Sequence, residues 1–220
     1  MGTIEGTVRL SGKAPQRQFV DLRAEPLCAA KHPDGLAADD LVVDDQNNLA
    51  WAVVYLQWYP APWRPKKLSP EPTVMTISGC RFIPHVVGVV RDAPVKLVNG
   101  DEMAHLLAHS FQDGRRVWTQ ALEIGGSTSF RLSPRHSIEH LTCDLHPWET
   151  GWIAAMEHPY FAITDCQGRY KIPRVPTGTY LLHAWHERCV RNFMVVPSQT
   201  VEVREGITTI AHFALKLARP

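Results

Sequence analysis

Long apolar runs are missing from this chain. The most apolar stretch, Leu49 to Tyr59, carries Gln57 and is about half the length a bilayer-crossing helix requires, so it reads as a buried strand. No membrane span is expected. An excess of charge of either sign is missing too. Lys and Arg number 23 against 22 Asp and Glu, a formal net charge of +1, and they are spread along the chain. With no basic face and no acidic tail there is no electrostatic ground for a nucleic-acid or anionic-lipid partner. Helical periodicity is almost absent, and no internal repeat is visible. The start carries no recognisable leader: Met1-Gly2-Thr3 runs straight into a strand pattern, as in a mature domain given a new start codon. Also lacking are a general acid–base pair, a Ser-His-Asp pattern and a glycine-rich phosphate loop. An enzyme is therefore the less expected reading.

What is present is an ordinary folded composition rich in turns. The chain has 220 residues, 45% of them apolar and 20% charged, with 17 prolines. That length suits one good core or two small ones. Period-two alternation recurs between Gly, Pro, Asn and Asp punctuation, which predicts an all-β sandwich or barrel. Strands are predicted at Ile4 to Leu10, Val53 to Leu56, Val86 to Val90, Val95 to Val98, Ser129 to Leu132, Gly151 to Met156, Tyr180 to Trp185 and Thr209 to Leu217. Helical turns are predicted only near Glu25 to His32 and Asp101 to His109. Three zones follow: residues 1–72, whose strands end in the Pro-rich connector 60–72; residues 73–157, which hold the metal-ligand candidates; and residues 158–220, a set of short strands.

Cysteines number five, an odd count, so in an exported protein one thiol stands outside any set of disulfides. Cys143 has the most informative neighbours. Cys143-x-x-His146 puts a thiolate and an imidazole on one tight turn, Pro147 stiffens that turn, and Glu149 is the next side chain able to coordinate. Another ligand must come from elsewhere. His105, just after the strand at Val95 to Val98, is the best candidate. It lies 38 residues before Cys143, a spacing that a Greek-key sandwich can close and a local zinc knuckle cannot. Two imidazoles, a thiolate and a distant axial donor suit one-electron copper chemistry.

The stretch Cys80-Arg-Phe-Ile-Pro-His-Val86, Lys96-Leu-Val-Asn-Gly-Asp101 with His105, Cys143-Asp-Leu-His-Pro-Trp148, and His158-Pro-Tyr-Phe-Ala-Ile-Thr-Asp165 resembles the plastocyanin-like proteins often labelled methylamine utilization protein. The resemblance covers most of the chain. It implies an exported, periplasmic cupredoxin: a Greek-key cupredoxin sandwich over residues 73–157, combined with a small carboxypeptidase-regulatory-like (transthyretin-like) β-sandwich over 158–220 joined by the N-terminal strand. It implies one mononuclear copper on His105, Cys143 and His146, with a redox partner protein. Two positions depart from the family pattern. Glu149 stands where the family has Met, and Leu106 where it has Asn. A carboxylate is a harder donor than a thioether, so Glu149 as axial ligand favours Cu(II), lowers the reduction potential and admits zinc, in the manner of red copper sites.

Parity and the zones of the resemblance pair Cys28 with Cys80 and Cys166 with Cys189, leaving Cys143 free. Trp148 is placed at the rim of the site. His85, His109 and His186 are open as members of a second site, while His183 is expected to pack and His212 to face solvent. Two further functions fit the residues: a copper or zinc carrier or catalytic metal centre, and a metal-free adhesion or interaction sandwich.

Overall fold

The structure, a computed structural model, describes residues 1–57, 71–132, 137–190 and 196–218. Most of the Pro-rich connector, with Trp58, Trp63 and His136, lies outside the described residues. The all-β class expected from the alternation is the class the chain adopts. In chain order the elements begin with β1 (Gly2–Leu10), α1 (Pro26–Lys31), β2 (Val53–Leu56), β3 (Thr73–Ile77), β4 (Phe82–Ile83), β5 (Val86–Val90) and β6 (Pro94–Asn99). Next come β7 (His105–Phe111), β8 (Arg116–Leu122), β9 (Ser127–Arg131), β10 (Ser137–Cys143), β11 (Thr150–Met156) and β12 (Phe161–Ile163). The last are β13 (Arg169–Val175), β14 (Gly178–Trp185), β15 (Ser198–Val203), β16 (Thr208–Ile210) and β17 (Phe213–Leu215). Among the described residues no helix is long and apolar enough to cross a membrane.

The chain divides into two units, and the first is discontinuous: Met1–Gln16, Asp40–Arg64 and Tyr160–Pro220. Its sheets run β12-β2-β14-β15 and β13-β1-β16, with β17 also paired to β1. Alternation along β13 turns Tyr170 and Ile172 inward and Lys171 outward, and the inward set meets Val54, Leu56, Leu182 and Val201 of the other sheet in one core.

The second unit comprises Arg17–Asp39 and Pro65–Pro159. A five-stranded sheet, β5-β11-β10-β7-β8, and a four-stranded sheet, β4-β3-β6-β9, enclose Met75, Ile77, Val95, Leu97, Leu107, Leu141 and Ile153 between them. The segment 17–39, which lies ahead of the Pro-rich connector in sequence, belongs with this unit rather than with the strands on either side of it. It carries α1 and forms a smaller cluster in which Leu22, Cys28 and Leu36 pack with Cys80 and Met103.

Three expectations need correction. Residues 101–109 form a turn and then β7, not a helical turn, because β8 and β10 supply backbone partners on both sides of His105 to Phe111. Thr209 to Leu217 is two short strands, β16 and β17, that pair in parallel with successive parts of β1. Cys166 and Cys189 are not joined. Cys166 is exposed on the turn between β12 and β13, where Gln167 Nε2 donates to its Sγ. Cys189 follows β14 and packs half-buried against the first unit's core; burial pushes its thiol up to about 12. Cys28 and Cys80 do form a disulfide, with Cα atoms 5.9 Å apart.

Candidate metal centre

Register brings the four expected residues to one end of the five-stranded sheet. Cys143 ends β10 and sits opposite Leu107 of β7, two residues from His105 at the start of that strand. The loop between β10 and β11 then returns Glu149 to the same place: Cys143 N donates to Glu149 O at 3.2 Å and Glu149 N to His146 O at 2.9 Å. Asp144 N donates to Leu106 O at 2.8 Å, and the Asp144 carboxylate takes two bonds from Arg116, at 2.6 and 3.0 Å. The loop is therefore pinned to β7 and β8. The approach to His105 is held by Asn99, whose Nδ2 donates to Met103 O at 2.7 Å while its Oδ1 accepts from Asp101 N at 2.9 Å.

His105, Cys143, His146 and Glu149 are all buried, and one donor atom from each lies within 4.8 Å of the other three. His105 Nδ1 is 3.2 Å from His146 Nδ1 and 3.9 Å from Cys143 Sγ, and His146 Nδ1 is 3.5 Å from that sulfur. Glu149 places Oε1 3.4 Å from His146 Nδ1 and Oε2 2.8 Å from His105 Nδ1. Tetrahedral ligands about 2.0–2.3 Å from one ion stand roughly 3.3–3.8 Å apart. Four of the five separations lie close to that range; the short one is a direct His105–Glu149 hydrogen bond. Glu149 Oε1 and His105 Nε2 are buried with no hydrogen-bond partner. A cation among the four donors would satisfy that carboxylate oxygen. By donor chemistry and spacing the residues fit a single metal ion.

Without the cation, a proton serves. Burial works against charge on His105, but hydrogen bonds to Cys143 and Glu149 and their negative charge outweigh it, and the imidazole is raised to about 9. A second group of donor residues, Cys80, Asp101 and Glu149, also clusters here. It is not an independent ligand set, because Cys80 is in the disulfide and Asp101 accepts from Lys31 Nζ at 2.6 Å and from Gly79 N and Cys80 N at 2.8 and 2.9 Å. Burial opposes the Asp101 charge, yet Lys31 and those amides hold its carboxyl below the usual range.

Trp148 stands at the rim as expected, its ring 5.5 Å from that of His146 and its Nε1 donating to Cys80 O. Two carboxylates that the sequence did not point to face the outer nitrogens of the histidines. Glu25 Oε2 lies 3.4 Å from His146 Nε2, and Asp101 Oδ2 lies 3.7 Å from His105 Nε2. The Cys28–Cys80 pairing was the available signal for Glu25, since it brings residues near 28 to those near 80.

The other histidines sit apart from this cluster. His109, on the same face of β7 as His105, is buried against Glu139, Trp118 and Phe130. His140 lies within β10 and stacks on Trp152 at 4.1 Å with His85 nearby. His183 stacks on Tyr55, and His212 is exposed. Among the described residues no group of potential ligands includes His85, His109 or His186.

The model for domain II of polysaccharide lyase family 4 matches residues 142–211. No curated protein sequence matches the chain. Among solved structures, the chain is similar to a purple cupredoxin from Nitrosopumilus maritimus (15% identity, 38% of this chain and 98% of that one, TM-score 0.34). It is also similar to amicyanin from Paracoccus versutus (14% identity, 46% and 96%, TM-score 0.36). A copper-containing nitrite reductase from Thermus scotoductus SA-01 matches at 21% identity and TM-score 0.36, over 46% of this chain and only 26% of that one. Fold and site together define an all-β protein with a buried His, Cys and Glu cluster of metal-binding composition.

Proposed function

We propose that this chain is a cupredoxin-like protein in which His105, Cys143, His146 and Glu149 would hold one copper ion, and that it carries single electrons to and from a partner protein. The observation that carries this reading is the convergence of four buried donors, with Glu149 Oε1 left without a hydrogen bond. Copper bound there supplies one-electron exchange between Cu(II) and Cu(I). The protein's part is to hold two ring nitrogens, a sulfur and a carboxylate in place. The bonds from Asp144 to β7 and β8 restrain the loop, which keeps reorganisation small when the charge changes. Glu149, a hard anionic donor, biases the centre toward the divalent ion. An exported location agrees with the Cys28–Cys80 disulfide, since such bonds persist in oxidising compartments. We read the strands after residue 158, with β1, as the carboxypeptidase-regulatory-like sandwich.

The hard carboxylate also favours a second reading, a copper or zinc carrier or a catalytic metal centre. Titrating the purified protein with Cu(II) separates the two. Strong visible absorption from thiolate-to-copper charge transfer, lost in Cys143→Ser, is the expected result. Binding without colour would favour the carrier, and no binding would favour a metal-free interaction sandwich.

A further inference from the structure

The segment 17–39 is built into the metal centre. Five attachments fix it there: the Cys28–Cys80 disulfide, the Lys31–Asp101 ion pair, His32 Nε2 with Gly79 O at 2.8 Å, the Asp39–Arg81 pair at 3.2 Å, and the packing of Leu22 and Leu36 beside Trp148. Glu25 stands at the head of α1 but makes no capping hydrogen bond to it. Its carboxylate lies beside His146 Nε2 instead, and His146 is only 4% exposed.

We propose that Glu25 is a positioning residue of the metal centre: its carboxylate accepts the Nε2 proton of His146 and so turns the unprotonated Nδ1 toward Cys143, His105 and Glu149. This rests on the reading of the four donors as a metal site. Carboxylates on the outer nitrogen of a ligand imidazole fix its tautomer and raise its basicity, and losing one changes metal affinity about 10–100-fold. His105 has less support of this kind, because Asp101 Oδ2 is 3.7 Å from its Nε2, against 3.4 Å between Glu25 and His146, and that oxygen already accepts from Cys80 N. The negative charge added through His146 favours Cu(II) over Cu(I), in the same sense as Glu149.

The test is Glu25→Gln, which keeps the shape and removes the charge, beside Glu25→Asp and the exposed Asp34→Asn of the same segment. Copper should remain bound in all of them. In Glu25→Gln the Cu(I)-to-Cu(II) affinity ratio should rise about tenfold, a shift of about 59 mV in the potential, with a moved visible band. Glu25→Asp should stay nearer to wild type and Asp34→Asn should not move. An unchanged ratio and spectrum in Glu25→Gln, or an equal shift in Asp34→Asn, would overturn the proposal while leaving the copper site standing. A second readout needs no metal. In the metal-free protein, nitrogen NMR should show His146 protonated at Nε2, and Glu25→Ala should redistribute that proton; an Nδ1-protonated ring in the wild type would overturn the assignment. A wild type that binds copper without colour would fail the electron-transfer reading separately.

Discussion

In the metal-free protein the His105 proton should make stability fall as the solution turns alkaline. The imidazole is raised from 6.5 to about 9 in the folded chain, and in the unfolded chain it returns to its ordinary value. A group whose folded pKa is raised contributes stability in full below the unfolded value, here about 6.5, and loses it as pH climbs through about 9. The gap of about 2.5 units, at about 1.4 kcal/mol each, gives roughly 3 kcal/mol lost across that window. That is a large share of the 5–15 kcal/mol typical of a domain. The assay is urea unfolding of the metal-free protein at intervals from pH 6 to 10, with His105→Asn as the reference from which this dependence should vanish. Because the same proton must leave when a cation binds, metal uptake near pH 7 should release about one proton from His105, and affinity should rise with pH up to about 9. Metal-free stability that stayed level or rose between pH 6.5 and 9, in a protein whose His105→Asn variant behaved identically, would refute the reasoning.

His140 should act in the opposite direction and in a separate window. Burial, helped by the neighbouring His85, lowers it from 6.5 to about 4, so its contribution is complete above pH 6.5 and is lost as pH falls toward 4, by about 3 kcal/mol; His140→Phe, which keeps the stack on Trp152, should flatten that limb of the unfolding curve. The Cys28–Cys80 disulfide closes a sequence separation of 52 residues, so Cys28→Ser with Cys80→Ser should cost about 4 kcal/mol by loop-closure entropy. Equilibrium unfolding of the second unit's transition measures this, and a cost below about 1 kcal/mol would show that the contacts of Lys31, His32 and Asp39 suffice to seat the segment.

Much of the strand pattern could be read from residues alone, and the reason is local. Val53 to Leu56 and Val86 to Val90 are β-branched and apolar enough to be strands whatever surrounds them, and their limits coincide with β2 and β5. β7 could not be read that way. Asp-Glu-Met-Ala followed by His-Leu-Leu-Ala-His is good helix-forming sequence, and only the hydrogen bonds from β8 and β10 make it extended. That His105, Cys143, His146 and Glu149 would meet was legible because three of them share one short loop and the fourth follows a recognisable strand end. Asp101 was not, since nothing in its own neighbourhood marks a carboxylate that will meet a histidine 4 residues away, and Glu25, 121 residues from its histidine, was signalled only through the pairing of Cys28 with Cys80. Pairing cysteines by parity and position succeeded for Cys28 and Cys80 and failed for Cys166 and Cys189, where one thiol faces solvent on a turn and the other lies against a core.

The nested order of the two units has a bearing on how the protein is made. β1 is synthesised first, yet β13, β16 and β17, with which it pairs, are synthesised last. The whole second unit, with His105, Cys143, His146 and Glu149, is encoded between them and is complete by residue 159. Wherever the chain folds from its N-terminus, the second unit can assemble while β1 still waits for neighbours. Folding of the second unit and completion of the first sandwich can thereby follow one another in the order of the chain itself.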